Sequence, residues 1–197
     1  MIIAIVGSGG KTTLLHQLAR QYRAEGKSVF VTTTTHMFIE EDTLLTDDSQ
    51  LIIQNLKETG YAMAGIPVGN KISALPLETY DKVCAHADVV LVEADGSKHM
   101  PLKFPNENEP VIPHNTDEIY VVCGLHAIGH KAKDVCHRLE LVKNCLGIED
   151  DTLITQDHVR KLVLEGYLRP LSEKYPAVKI TVMPQNISAH HFFSEPQ

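Results

Sequence analysis

Two hydrophobic periods take turns along this chain. Short unbroken apolar or β-branched runs occupy residues 1–6 (MIIAIV), 28–35 (SVFVTTTT), 88–94 (DVVLVEA), 118–123 (EIYVVC) and 178–183 (VKITVM). Such runs predict strands covered on both faces, as a parallel sheet requires. Between them, apolar residues recur at three- and four-residue spacing in 14–26 (LLHQLARQYRAEG), 48–58, 76–85 and 155–165, predicting helices, with Gly166 behind the last as its stop. Glycines and prolines punctuate 60–76, where 61–64 predicts one more short strand. Strands alternating with helices predict an α/β fold, a three-layer domain with a mainly parallel sheet of about five strands.

The joint between the first strand and the first helix reads GSGGKTT. A buried strand that ends in a glycine-rich turn, followed at once by a helix, aims backbone N–H groups and a positive helix end at one point. Lys11 adds an ammonium there, and Thr12 stands where a hydroxyl reaches Mg²⁺. Gly7 is separated from Gly10 and Lys11 only by Ser8 and Gly9, so the loop is two residues shorter than the common Gly-x₄-Gly-Lys-Ser/Thr form. A plain strand-to-helix turn leaves GGKTT unexplained. Gly7, Ser8, Gly9, Gly10, Lys11, Thr12 and Thr13 are therefore the expected phosphate contacts, and the fold is expected to be a P-loop NTPase-like domain spanning residues 1–197.

Ligands of open parallel sheets bind beyond the carboxyl ends of the strands. Those ends here read GSGGKTT, TTTTH, EADGSK, CGLHAIG and MPQN. Glu93 and Asp95 end the third at the Walker-B position, where one carboxylate is expected to serve Mg²⁺ and the other to orient water or substrate; with Lys11 they form the expected catalytic set. The bland reading of the two acids is a polar strand end. Thr34 and Thr35 lie nearest the end of the second strand, beside the first if the usual order holds, and are expected near phosphate or the metal's water shell. Threonine is also simply a good strand residue.

The proline-rich passage 101–113 (PLKFPNENEPVIP) cannot be helix and is too rich in proline for a central strand. With the charges of Lys98, Lys103, Glu107 and Glu109 it predicts a stiff surface loop that clamps a substrate or partner, against the usual case of solvated loop charge. Cys123, His126, His130, Cys136 and His137 fall within fifteen residues, among eleven histidines in all. The density suggests a transition-metal site, although the spacings match no zinc pattern. His190 and His191 read as surface.

Composition narrows the partners. A net charge of −7 gives no basic surface for nucleic acid, no apolar run approaches the ~20 residues of a membrane span, and the amino-terminal run reads as a core strand rather than a leader. Four cysteines without a CxxC pair read as reduced thiols, hence a cytoplasmic setting. A small ligand or a protein is the expected partner, and oligomeric state leaves no mark.

Taken in order, GSGGKTT, TTTTH, VEADGSK with PLKFPNENEPVIP, VVCGLHAIG and the His137-Arg138 pair resemble the YqeC family, accessory proteins of selenium-dependent molybdenum hydroxylases. The resemblance covers nearly the whole chain, and its most specific part runs from ADGSK to EPVIP. It implies a cytoplasmic protein that binds ATP or GTP with Mg²⁺ and assists a molybdenum hydroxylase or its cofactor-maturation machinery. By motif match it implies Gly9, Gly10, Lys11 and Thr12 as phosphate and Mg²⁺ contacts, Glu93 and Asp95 as the acidic site, and Lys98, Lys103 and Glu109 as the family's distinctive loop. Members often end the last strand in an Asn-Lys-x-Asp-like base motif; this chain reads MPQNIS, which leaves ATP and GTP both open. The short loop is also similar to that of the Mur ligases, whose two further domains this length does not accommodate. A small-molecule kinase or acyl-phosphate-forming ligase, and a non-catalytic carrier of metal or cofactor, are the competing readings.

Overall fold

The computed structural model describes residues 1–185; His190, His191 and the Asn-Ile-Ser that follows Gln185 lie outside the described residues. In chain order the elements are β1 (Ile2–Gly7), α1 (Lys11–Ala24), β2 (Val29–Thr33), β3 (His36–Phe38), β4 (Thr43–Leu44), α2 (Ser49–Thr59), β5 (Tyr61–Ala64), β6 (Ile66–Val68), β7 (Lys71–Ser73), α3 (Leu77–Cys84) and β8 (Val89–Glu93). They continue as β9 (Leu102–Lys103), β10 (Glu118–Gly124), α4 (Ala132–Val135), β11 (Cys136–His137), α5 (Leu139–Leu146), α6 (Gln156–Val163), α7 (Arg169–Lys174) and β12 (Lys179–Gln185). The fold is α/β with a seven-stranded, mainly parallel sheet in the order β12-β10-β1-β8-β2-β5-β4. The pairings of β1 with β8, β8 with β2, β2 with β5 and β5 with β4 are all parallel.

Two of these facts differ from expectation. The sheet holds seven strands rather than about five, because the short run at 61–64 lies inside it and β4, two residues long, carries no readable pattern. β2 is not beside β1: β8 lies between them, its five residues all buried. It takes the central slot of the seven. That order puts Glu93, at the end of β8, across from both Ile5 and Thr33.

The chain forms two compact units interleaved in sequence: Met1–Ile5, Thr12–Asp95 and Val111–Glu118 make one, and Val6–Lys11, Gly96–Pro110 and the chain from Ile119 make the other. In the first, α2 and α3 bring Ile52, Leu56, Tyr80 and Val83 into one cluster with Phe30 of β2 and Val90 and Val92 of β8, each apolar side chain contributing about 1.5–3 kcal/mol by leaving water. Asp48 caps α2, accepting from the backbone N–H of Gln50 at 2.8 Å, and Gly60 closes it in the left-handed region. A separate antiparallel sheet, β3-β7-β6, takes up the stretch around Pro67.

In the second unit, β9 and β11 pair in parallel, Leu102 opposite Cys136 and Lys103 opposite His137. Gly166 is not a helix stop. The backbone passes from α6 through a π-helical turn, Leu164–Leu168, into α7, and a β-carbon at Gly166 would lie 3.0 Å from Pro105 and 3.3 Å from the Phe104 ring. The glycine is there so that the proline-rich passage can lie against the helix.

Candidate functional site

The turn GSGG is held open by its backbone. Gly7 has φ +90° and Gly9 +75°; a β-carbon on Gly7 would stand 2.1 Å from the Val122 carbonyl oxygen, and one on Gly9 2.6 Å from both Gly124 Cα and the Pro101 carbonyl oxygen. The loop is thus pressed against β10 and the 101 turn. Ser8 adds two tethers, its N–H donating to Val122 O at 3.0 Å and its hydroxyl to Pro101 O at 2.9 Å. Gly7→Ala is expected to cost at least about 2 kcal/mol, from the left-handed φ together with the backbone collision. Urea denaturation checks this, and an unchanged midpoint would show that the loop can back away from β10.

Lys11 opens α1 and is 4% exposed. Its ammonium donates to Gly7 O at 3.0 Å and to Ser97 Oγ at 3.2 Å, so its charge lies over the mouth of its own loop. Ser97 was not among the expected site residues; no strand or helix pattern reaches it. The turn that carries it is unusual, with Lys98 at φ +48° and His99 at φ +62° in succession, a conformation costing about 1 kcal/mol or more for each such residue. Met100 N–H donates to Ser97 O at 3.0 Å and closes the turn.

Lys103 fixes the base of that turn. Its side chain is fully buried, and its ammonium donates to Gly96 O and pairs with Glu109, each at 2.5 Å. Arg138 grips the same carboxylate with both terminal guanidinium nitrogens, at 2.5 and 2.9 Å. Burial raises the Glu109 pKa, but hydrogen bonds from Arg138 and Lys103 outweigh it and hold the carboxyl below its usual value. The passage 101–113 is therefore ordered and only partly a surface loop: Leu102, Lys103 and Pro105 are buried, Lys98 and Glu107 are exposed, and Lys103 is engaged within the chain. Arg138 stood in the sequence beside His137, but nothing there tied it to Glu109.

In the other unit, Thr12 is exposed and donates its hydroxyl to Glu93 Oε2 at 3.2 Å. Glu93 is 7% exposed and Asp95 fully buried. β8 ends at Glu93, so the two acids are not consecutive positions on one strand face. Thr33 donates to the Glu93 carbonyl at 2.8 Å and Thr34 N–H to the same oxygen at 3.1 Å. The Thr34 hydroxyl donates to Val111 O at 2.7 Å, and the Thr35 hydroxyl lies 3.4 Å from that of Thr33. Thr33 and Thr34 thus both meet the Glu93 carbonyl, the first through its hydroxyl and the second through its N–H. Thr13 is exposed on α1. A hydroxyl and a carboxylate are oxygen donors of the kind Mg²⁺ takes alongside phosphate oxygens, and Thr12 and Glu93 are the residues that fit it.

The Cys123 to His137 group does not converge. Cys123 and Cys136 are buried, and burial pushes their thiols up to about 12 and about 11; His126 and His130 are exposed. Among the described residues no group of three or more His, Cys, Asp or Glu side chains is placed to hold a metal ion. Nor is any helix among them long and apolar enough to cross a membrane.

Residues 3–140 match the family described as YqeC protein. The "Uncharacterized protein YqeC" of Escherichia coli (strain K12) is 33% identical over 171 residues, covering 82% of this chain and 67% of that protein. Among solved structures, the MinC:MinD cell division protein complex of Aquifex aeolicus aligns at a TM-score of 0.39 and 12% identity, over 98% of this chain and 84% of that one.

Proposed function

Because this chain belongs to the YqeC family, we propose that it binds ATP or GTP with Mg²⁺ in the cytoplasm and hydrolyses it while assisting the maturation of a selenium-dependent molybdenum hydroxylase. The observation that carries the nucleotide part is the Thr12 hydroxyl on the Glu93 carboxylate at 3.2 Å, one residue after the buried lysine of a glycine loop. A hydroxyl, a carboxylate and an ammonium in that order meet the needs of phosphoryl transfer, which are positioning and charge neutralisation. Lys11 and the N–H groups of residues 9–11 hold the β- and γ-phosphates, the Ser8 N–H being taken by Val122 O. Thr12 and Glu93 supply oxygens to Mg²⁺, which when bound neutralises charge on the phosphate oxygens, and Asp95 orients the attacking water. The client hydroxylase, or the machinery that completes its cofactor, rests on the motif resemblance that runs from GSGGKTT to the His137-Arg138 pair.

Calorimetric titration of ATP and GTP into the wild type, with Mg²⁺ and then with a chelator, tests the reading. One nucleotide is expected to bind in the micromolar range, and Glu93→Gln to bind it with little dependence on Mg²⁺. Failure of both nucleotides to bind would end the proposal. A turnover that rises on adding the hydroxylase, and stays flat across carboxylate or hydroxyl acceptors, is expected of a maturation factor and not of a dedicated kinase or ligase.

A further inference from the structure

Resting on the nucleotide reading above, the geometry points to Ser97 as a ligand of the terminal phosphate, and we propose it as the residue by which this chain tells a nucleoside triphosphate from a diphosphate. Three observations meet at it. Its oxygen accepts from the Lys11 ammonium at 3.2 Å, so it sits within one hydrogen bond of the cation that a phosphate loop directs at the β- and γ-phosphates. A hydroxyl that accepts still has a proton to give, and among the described residues that proton has no recorded acceptor. The turn bearing it is held in place against cost, by two consecutive left-handed residues, Lys98 and His99, by the Met100 N–H on the Ser97 carbonyl, and by the buried Lys103 ammonium on the carbonyl of Gly96. Local strain kept by surrounding bonds clusters where a side chain has to be aimed.

The position also selects the phosphate. Loop amides cradle the near phosphates, and Lys11 reaches back to the Gly7 carbonyl with one of its donors. Ser97 meets the same ammonium from a segment 86 residues away in sequence, outside the loop, where the last phosphate of the chain projects. A serine hydroxyl donating to a charged oxygen there acts on a triphosphate and has nothing to touch on a diphosphate.

The test is titration of a non-hydrolysable triphosphate and of the matching diphosphate, with Mg²⁺, into wild type, Ser97→Ala and Ser97→Thr, each checked by circular dichroism. Ser97→Ala is expected to weaken the triphosphate roughly ten- to a hundredfold, the range for one hydrogen bond to a charged group, and to leave the diphosphate within about twofold. Ser97→Thr, which keeps the hydroxyl, is expected to restore most of the difference. Equal loss for both nucleotides, or no loss, overturns the assignment while the phosphate loop stands; a wild type that binds neither nucleotide overturns both readings.

Discussion

Lys11→Ala is expected to lower triphosphate affinity on the order of a hundredfold while leaving the circular dichroism spectrum unchanged. The magnitude follows from removing an ammonium whose hydrogen bonds to charged oxygens are each worth about 1.5–3 kcal/mol. The fold is expected to survive because the tethers that shape the loop, Ser8 to Val122 and Ser8 to Pro101, do not involve the lysine side chain. Lys11→Arg is expected to fail almost as badly. A planar guanidinium does not fit the 3.0 Å approach to Gly7 O that a compact ammonium makes at a 4% exposed site. The same calorimetry reads both variants. Full binding by Lys11→Ala would separate the glycine loop from nucleotide altogether.

The second large effect is on stability. Glu109→Gln is expected to cost about 3–5 kcal/mol, because it removes the carboxylate charge that faces both the wholly buried Lys103 ammonium and Arg138. Lys103→Met is expected to cost less, since Glu109 keeps its two-pronged contact with Arg138 and methionine fills the apolar space. Guanidinium denaturation of the two variants gives the comparison, and the reverse order would mean that the buried cation is solvated by something other than Glu109. The pH dependence has a definite sign. A carboxyl held below its usual value in the folded protein stabilises it above the unfolded pKa, near 4.5, and that contribution drains away as pH falls through the lower folded value. Wild type is expected to lose stability in that acid window, and Glu109→Gln to lose visibly less.

Periodicity carried the main sheet. Residues 1–6, 88–94 and 118–123 are apolar without interruption, and an uninterrupted apolar run of that length has few places to go but a buried strand. It could not order the strands: nothing local distinguishes β8 next to β1 from β2 next to β1, and the structure places β8 between them. The end of β2 therefore meets Glu93, Thr33 through its hydroxyl and Thr34 through its N–H. β3, β6 and β7 are three residues each, too short to show an alternation. Gly166 reads locally as a helix stop, because its packing partners Phe104 and Pro105 lie some sixty positions earlier. The loop residues 7–13 and the acids 93 and 95 could be singled out as candidates because their spacing along the chain is itself the signal. Ser97 and Arg138 could not, because each is tied to its group by long-range contacts that no spacing records.

The insertion of β8 between β1 and β2 also sets a timetable for synthesis. Ile2 pairs with Val90 and Ile5 with Glu93, so the strand that leads into the glycine loop leaves the ribosome long before its neighbour exists. At about 5–20 residues per second, that wait is on the order of ten seconds. Until then an apolar strand with two bare edges has to be kept from wrong partners, and contacts this distant in sequence also slow the folding that follows. The glycine loop, which leans on Val122 of β10 as well, takes shape only after that later strand has been made.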